Sequence, residues 1–290
     1  MANTMTSYTD AQIMKALLTK DFSGIGREFV DDVITSVKVG AFKGAQNLDK
    51  VSLPSVKEVH YCAFQNAAIT TLDLPWGELE AIGFSAFAGA SGLPQNPVFS
   101  KLTALSNGAF AGTSDKKNTD LRTISLPLWT GSSFSEGSGF SNALAGIFAY
   151  CTALTSVSAP ELQTLPSQMF LYCQALEEVV FPKVSTVNSG VFNYCTNLTK
   201  IDLGGAITRL GSAFMSYANK VTALILRGVT TVPTLGSTTF NSTPVKTGTC
   251  YVYVPKELEA TFKVASNWSA YASQIRAIED YPDICGQEVL

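Results

Sequence analysis

The chain is poor in charge and almost free of histidine. Of 290 residues only 15% are Asp, Glu, Lys or Arg, one is histidine, and the formal net charge at pH 7 is −3. No run of Lys or Arg stands out. The basic footprint that nucleic acids and anionic membranes attract is therefore missing, and no nucleic-acid partner is expected. No apolar stretch reaches the roughly 20 residues of a membrane span, so no membrane insertion is expected. The amino terminus, Met1 to Asp10, has neither the basic start nor the apolar run of a secretory signal. That is expected of a protein not exported by that route, or of one whose leader has been removed.

Catalytic and metal-binding patterns are equally scarce. There is no C-x-x-C pair, phosphate loop, Gly-x-Ser-x-Gly elbow or calcium-loop pattern, so no cofactor or metal is expected. His60 lies two residues from Cys62, a spacing that brings both to one side of an extended segment. No third orienting group accompanies them, and a histidine on a surface turn is the better reading. Glu177-Glu178 and Asp31-Asp32 are adjacent acids, as expected of solvated side chains. No catalytic residue is assigned.

What the chain does contain is repetition. Phe148-Ala-Tyr-Cys151, Phe170-Leu-Tyr-Cys173 and Phe192-Asn-Tyr-Cys195 recur every 22 residues, a period of leucine-rich solenoids. From Phe170 the apolar positions run Leu176, Val179, Phe181, Val184, Val187 and Val191, with Pro182 after the central pair. The same offsets from Phe42 meet Leu48, Val51, Leu53, Val56, Val59, Ala63 and Pro54; from Phe148 they meet Leu154, Val157, Ala159, Leu162, Leu165, Met169 and Pro160. Weaker copies starting at Phe64, Phe87, Phe192 and Phe214 fill the remainder, giving roughly ten coils. The middle of each coil alternates like a strand, and its return side carries helix-like or turn-like spacing. A single coil cannot bury its apolar side, so the coils must stack.

The expected core is therefore a column of Phe42, Phe64, Phe87, Phe110, Phe148, Phe170, Phe192 and Phe214, with Cys151, Cys173 and Cys195 beside it. Those cysteines are read as packed free thiols, although adjacent rungs come near disulfide distance. The expected divisions are an amino-terminal cap over 1–36, a solenoid over 37–249 with an insertion near 129–144, and a carboxy-terminal cap over 250–290. Asp10–Leu18 reads as an amphipathic helix in the first cap. The last cap reads as the strand Cys250–Pro255 followed by helices over Lys256–Ala265 and Ser269–Ile278, with Trp268, Tyr271 and Ile275 as its plug.

Two surfaces are candidates for binding. Between Phe110 and Phe148 lie 38 residues instead of 22, and the excess includes a Gly/Ser-rich stretch with Trp129, Phe134 and Phe140. Such a loop suits binding; an irregular coil with buried aromatics is the alternative. The second surface is the outward strand face, with Ser52, Asp73, Ser125, Ser158, Glu177, Val180, Lys200, Asp202 and Ile225. It suits a protein or glycan, or is ordinary solvated surface. The binding residues drawn from both are Trp129, Phe134, Phe140, Ser158, Val180 and Asp202.

The Phe-x-x-Cys-x-x-Leu-x-x-Val coils, with Pro and the following Val-x-x-Val, resemble the BspA-type leucine-rich repeats of bacteria and their phages. The resemblance covers about Val37 to Phe240. It extends through Tyr251-Val-Tyr-Val-Pro255 and Asn267-Trp268-Ser-Ala-Tyr271 to a tail similar to that of short, signal-less forms from phages and prophages of gut Firmicutes. It implies an α/β repeat solenoid of about 22–23 residues per coil that binds without catalysis. The implied partner is a protein or glycan on a cell surface, and the implied setting is a virion or the extracellular surface. A bacterial surface adhesin is the alternative implied by secreted relatives, and a carbohydrate-active solenoid enzyme the second. No family binding residue carries over, because the shared motif residues build the core.

Overall fold

The computed structural model describes residue 19 and residues 27–135 and 146–286. The expected helix Asp10–Leu18, Phe140 and most of the expected amino-terminal cap lie outside the described residues.

The chain winds into a parallel β-solenoid of about ten coils. Most coils contribute one strand to a face made of three successive parallel sheets, of three, two and five strands, because the middle of the coil alternates apolar and polar residues. In Glu178–Phe181, Val179 and Phe181 are buried while Glu178 and Val180 face solvent. Each inward residue then sits on its copy one coil later. Val179 pairs with Ile201, Ile201 with Leu224, Leu224 with Val252, and Val252 with Ile275, all in parallel. Glu28–Val30, Leu48–Ser52 and Ile69–Asp73 stack in the same way at the other end. Two-residue strands form a second line along the coil: Ser36–Val37 through Ala104–Leu105, then Thr164–Leu165 through Thr234–Leu235.

The return side is made of turns, and the helical half of the α/β expectation is not found there. The reason lies two residues beyond the core Phe. Gly44, Asn66, Gly89, Tyr150, Tyr172 and Tyr194 at that position all have φ between 57° and 66°. A left-handed residue at this position in most coils, Gly112 of the Phe110 coil excepted, stops a right-handed helix from propagating. The turns stack instead: the Phe170 N–H donates to Val191 O at 2.9 Å, and the Phe192 N–H to Phe214 O at 2.8 Å.

The phenylalanine side chains lie between these layers. Phe42, Phe64, Phe87, Phe110, Phe148, Phe170 and Phe192 form a stacked column with centroids 5.0–5.9 Å apart, which ends edge-on against Phe214. Phe110 and Phe148 are direct neighbours in it, so the extra residues between them leave the stack intact. Cys151, Cys173 and Cys195 are buried free thiols, each donating to the carbonyl of the preceding rung's Phe: Phe110, Phe148 and Phe170 at 3.4, 3.0 and 3.1 Å.

Trp129 corrects the expectation of an aromatic binding loop. Ser125 pairs with Ser158, which places Leu126-Pro127 on Ala159-Pro160 and Trp129 on Leu162. Trp129 therefore fills a repeat core position; it is fully buried, and its Nε1–H donates to Ser132 O at 2.8 Å. The buried aromatic of an irregular coil is what is found.

At the carboxy-terminal end the helix Lys256–Val264 forms, but the expected second helix does not. A 3₁₀ turn over Ser269–Gln274 gives way to the strand Ile275–Ala277, whose Ile275 and Ala277 pair with Val252 and Val254. An open sheet edge offers a full ladder of backbone partners, which outweighs weak helix propensity. Trp268 is buried edge-on against Phe240 and Phe262, its Nε1–H donating to Pro233 O at 2.6 Å; Tyr271 stands edge-on to Phe240.

Candidate binding surfaces

The residues proposed from sequence do not converge on one site. Ser158 and Val180 are exposed on the strand face, Val180 at 54%. Asp202, expected beside them, is buried. Arg227 donates to both of its carboxylate oxygens, from Nε at 2.9 and 3.1 Å and from Nη2 at 2.8 Å, and also to the Cys285 carbonyl. The terminal helix Pro282–Cys285 thus folds back over this part of the face, and Lys200 Nζ secures it at the Ile284 carbonyl. The same cover buries Ile225, which clusters with Ala223, Tyr253, Ile278 and Cys285. Ser52 is also buried and donates to Asp73 Oδ2 at 2.7 Å. Asp202, Ile225 and Ser52 are thus removed from the open face, which retains Asp73, Ser158, Glu177 and Val180.

Phe134 is half-buried, its ring centroid 5.0 Å from that of His60. The His60 Nε2 lies 2.9 Å from Ser36 Oγ and 3.4 Å from Glu58 Oε2, in a polar surface cluster. Among the described residues no three His, Cys, Asp or Glu side chains are grouped to hold a metal ion.

A different surface is assembled from the repeat itself. Tyr150, Tyr172, Tyr194 and Tyr217 stack with centroids 4.8, 4.3 and 4.5 Å apart and planes within 11° of parallel. Each has a positive φ, from 59° to 62°. Earlier coils place Gly44, Asn66 and Gly89 at this turn position, the residue types that tolerate it. A tyrosine there costs about 1–2 kcal/mol in backbone energy. Stacking returns part of that, about 0.5–1.5 kcal/mol per pair beyond burial. The centroid spacing exceeds ring thickness, so the rings overlap with an offset, and Tyr217 at the end is 44% exposed. Partial removal from water and then the neighbouring tyrosines raise the Tyr150 and Tyr194 phenols above their ordinary values. No charged residue lies within four positions of Tyr150 or Tyr172. The sequence signal was present: Tyr precedes Cys in all three copies of the motif.

The match to a family of repeats agrees with the winding. A profile described as the BspA-type leucine-rich repeat region matches in 6 copies over residues 28–135 and 144–260. The chain belongs to the BspA-type leucine-rich repeat family. Solved structures similar to this family member include the pneumococcal vaccine antigen PcpA, 14% identical with a TM-score of 0.44. That match covers 87% of this chain and 66% of the antigen chain, a little under two thirds of its length. A leucine-rich repeat protein of Eubacterium ventriosum is 14% identical over 75% of this chain and 82% of its own, with a TM-score of 0.30. One from Bacteroides ovatus is 16% identical over 86% and 83%, with a TM-score of 0.27. No curated protein sequence matches this BspA-type chain.

Proposed function

We propose that this BspA-type solenoid is a non-enzymatic recognition module carried on a phage or prophage virion, where it contacts a protein or glycan on a host cell surface. The observation that carries this reading is the tyrosine ladder. Four successive rungs accept an unfavourable backbone conformation to present tyrosine where glycine or asparagine stands in earlier coils. Strain retained in this way marks functional sites more often than accidents. Tyrosine is also the side chain that interfaces favour, with a large rigid body and a polar tip. The open strand face beside Ser158 and Val180 offers further contact area.

The test is capture of the purified chain by intact gut Firmicutes cells, with their isolated surface glycans and proteins arrayed alongside. Saturable binding is expected, and the Tyr172→Gly, Tyr194→Gly double variant should lose it at least about tenfold, equivalent to about 1.4 kcal/mol. Binding confined to animal-cell surfaces or matrix would replace the virion setting by a bacterial adhesin. Equal binding by the double variant would remove the ladder from the contact.

A further inference from the structure

A cavity of about 480 Å³ opens on the carboxy-terminal five-stranded sheet, and none of the ladder tyrosines lines it. Its walls are Thr222, Thr249, Tyr251, Tyr253, Arg276 and Tyr281, closed by Ala223 and Ile284. Its size falls within the usual range for small-molecule sites. The sheet supplies the floor: Tyr251–Val254 pairs with both Ala223–Leu226 and Ile275–Ala277. Tyr281 packs edge-on against Tyr253 with centroids 5.5 Å apart, bringing the terminal turn down as one wall.

Arg276 is the one charged residue in that wall. Its guanidinium carbon lies 4.5 Å from the Tyr251 ring centroid. Nη1 donates to Ser273 O at 2.9 Å and to Ile275 O at 2.8 Å, which orients the group. Among the described residues no carboxylate pairs with it, and its Nε and Nη2 make no hydrogen bond. The contrast with Arg227 is direct, since that guanidinium is engaged by Asp202. An oriented, half-buried guanidinium with an open edge suits the two oxygens of a carboxylate. Around it the part-exposed Tyr251 and Tyr281 rings offer an apolar face above the buried Tyr253, and hydroxyls stand ready for polar groups. The Thr222 Oγ1 donates to Thr199 O at 3.3 Å, so its oxygen is available to accept.

We propose that this cavity binds a sugar acid: a pyranose whose carboxylate meets the Nε–Nη2 edge of Arg276, whose ring lies against the tyrosines, and whose hydroxyls meet Thr222 and Thr249. The site goes beyond the recognition role above and stands whether or not the ladder binds cells.

Titration calorimetry of the full chain with glucuronic, galacturonic and N-acetylneuraminic acids tests it, with glucose and sodium sulfate as controls. At least one sugar acid should bind saturably with Kd below about 10 mM, and neither control should do so. Arg276→Gln should weaken binding at least about tenfold with the melting temperature unchanged. If that variant melts early, Thr249→Val at the exposed rim takes its place, with a loss of about threefold or more expected. Failure of all three acids to bind, binding of sulfate as tight as that of the acids, or undiminished binding by the correctly folded variant would each overturn the assignment.

Discussion

At the scale of a single residue, position within the coil decides what a side chain does. Phe170 touches its neighbours in the column on both sides, with centroids at 5.8 and 5.5 Å. Truncation leaves a cavity no neighbour can fill, so Phe170→Ala should cost about 3–5 kcal/mol in urea unfolding. Trp129→Ala should cost a similar amount, because Trp129 is fully buried and its removal leaves the Ser132 carbonyl without its indole donor. A change below about 1 kcal/mol at either site would contradict its place in the core. The ladder behaves differently. Tyr172→Gly relieves left-handed strain while it forfeits stacking, and the two effects nearly cancel. Its stability should stay within about 1 kcal/mol of the parent, measured by the same unfolding curves.

At the scale of an element, the terminal helix Pro282–Cys285 is too short to be stable alone. It is held by Arg227, which joins the Asp202 carboxylate to the Cys285 carbonyl. Asp202 has a side chain only 6% exposed. Removal of its partner leaves a buried charge without compensation, a change that costs about 3–5 kcal/mol in comparable pairs. Arg227→Ala should therefore release the strap before the solenoid melts. Hydrogen exchange should show faster exchange at Ile284 and Cys285, with little change at Val179 or Ile201. Uniform loosening of both regions would mean that the strap and the coils unfold as one unit.

At the scale of the whole molecule, the stack holds the protons of the thiols in its cysteine column. All six cysteines are buried. Burial raises the Cys151, Cys173 and Cys195 thiols well above the ordinary value of 9.0, and raises Cys250 to about 12. The sign follows from linkage: above about pH 9 the unfolded chain loses these protons and the folded chain keeps them. Stability is therefore full below that pH and falls above it, by about 1.4 kcal/mol per pH unit for each such group. Urea midpoints measured from pH 8 to pH 10.5 should decline steeply over the upper half of the range. A thiol reagent at pH 8 should find almost no cysteine in the native chain and all six after unfolding. A flat profile, or ready labelling of the native chain, would place the cysteine column outside the core.

The sequence by itself determined the winding. Six apolar offsets and one proline repeating from Phe42, Phe148 and Phe170 require the same side chains to face the same way in each coil, and stacking is the way to bury them all. The fate of Trp129 was also legible, since Leu126-Pro127 repeats Ala159-Pro160. Its aromatic bulk and the glycine-rich stretch beside it obscured that register. Tertiary structure alone decided the rest. The turn side carries no helix because a left-handed residue recurs beyond the core Phe in most coils, and backbone angle is not written in apolar spacing. Asp202 and Ile225 occupy outward strand positions that would be open in an isolated coil. A tail more than fifty residues further along the chain covers them, because its carbonyls meet Lys200 and Arg227. The tyrosine ladder and the Arg276 cavity have the same origin. Repeats state which residues recur, while only the stack brings their exposed edges within contact of one another.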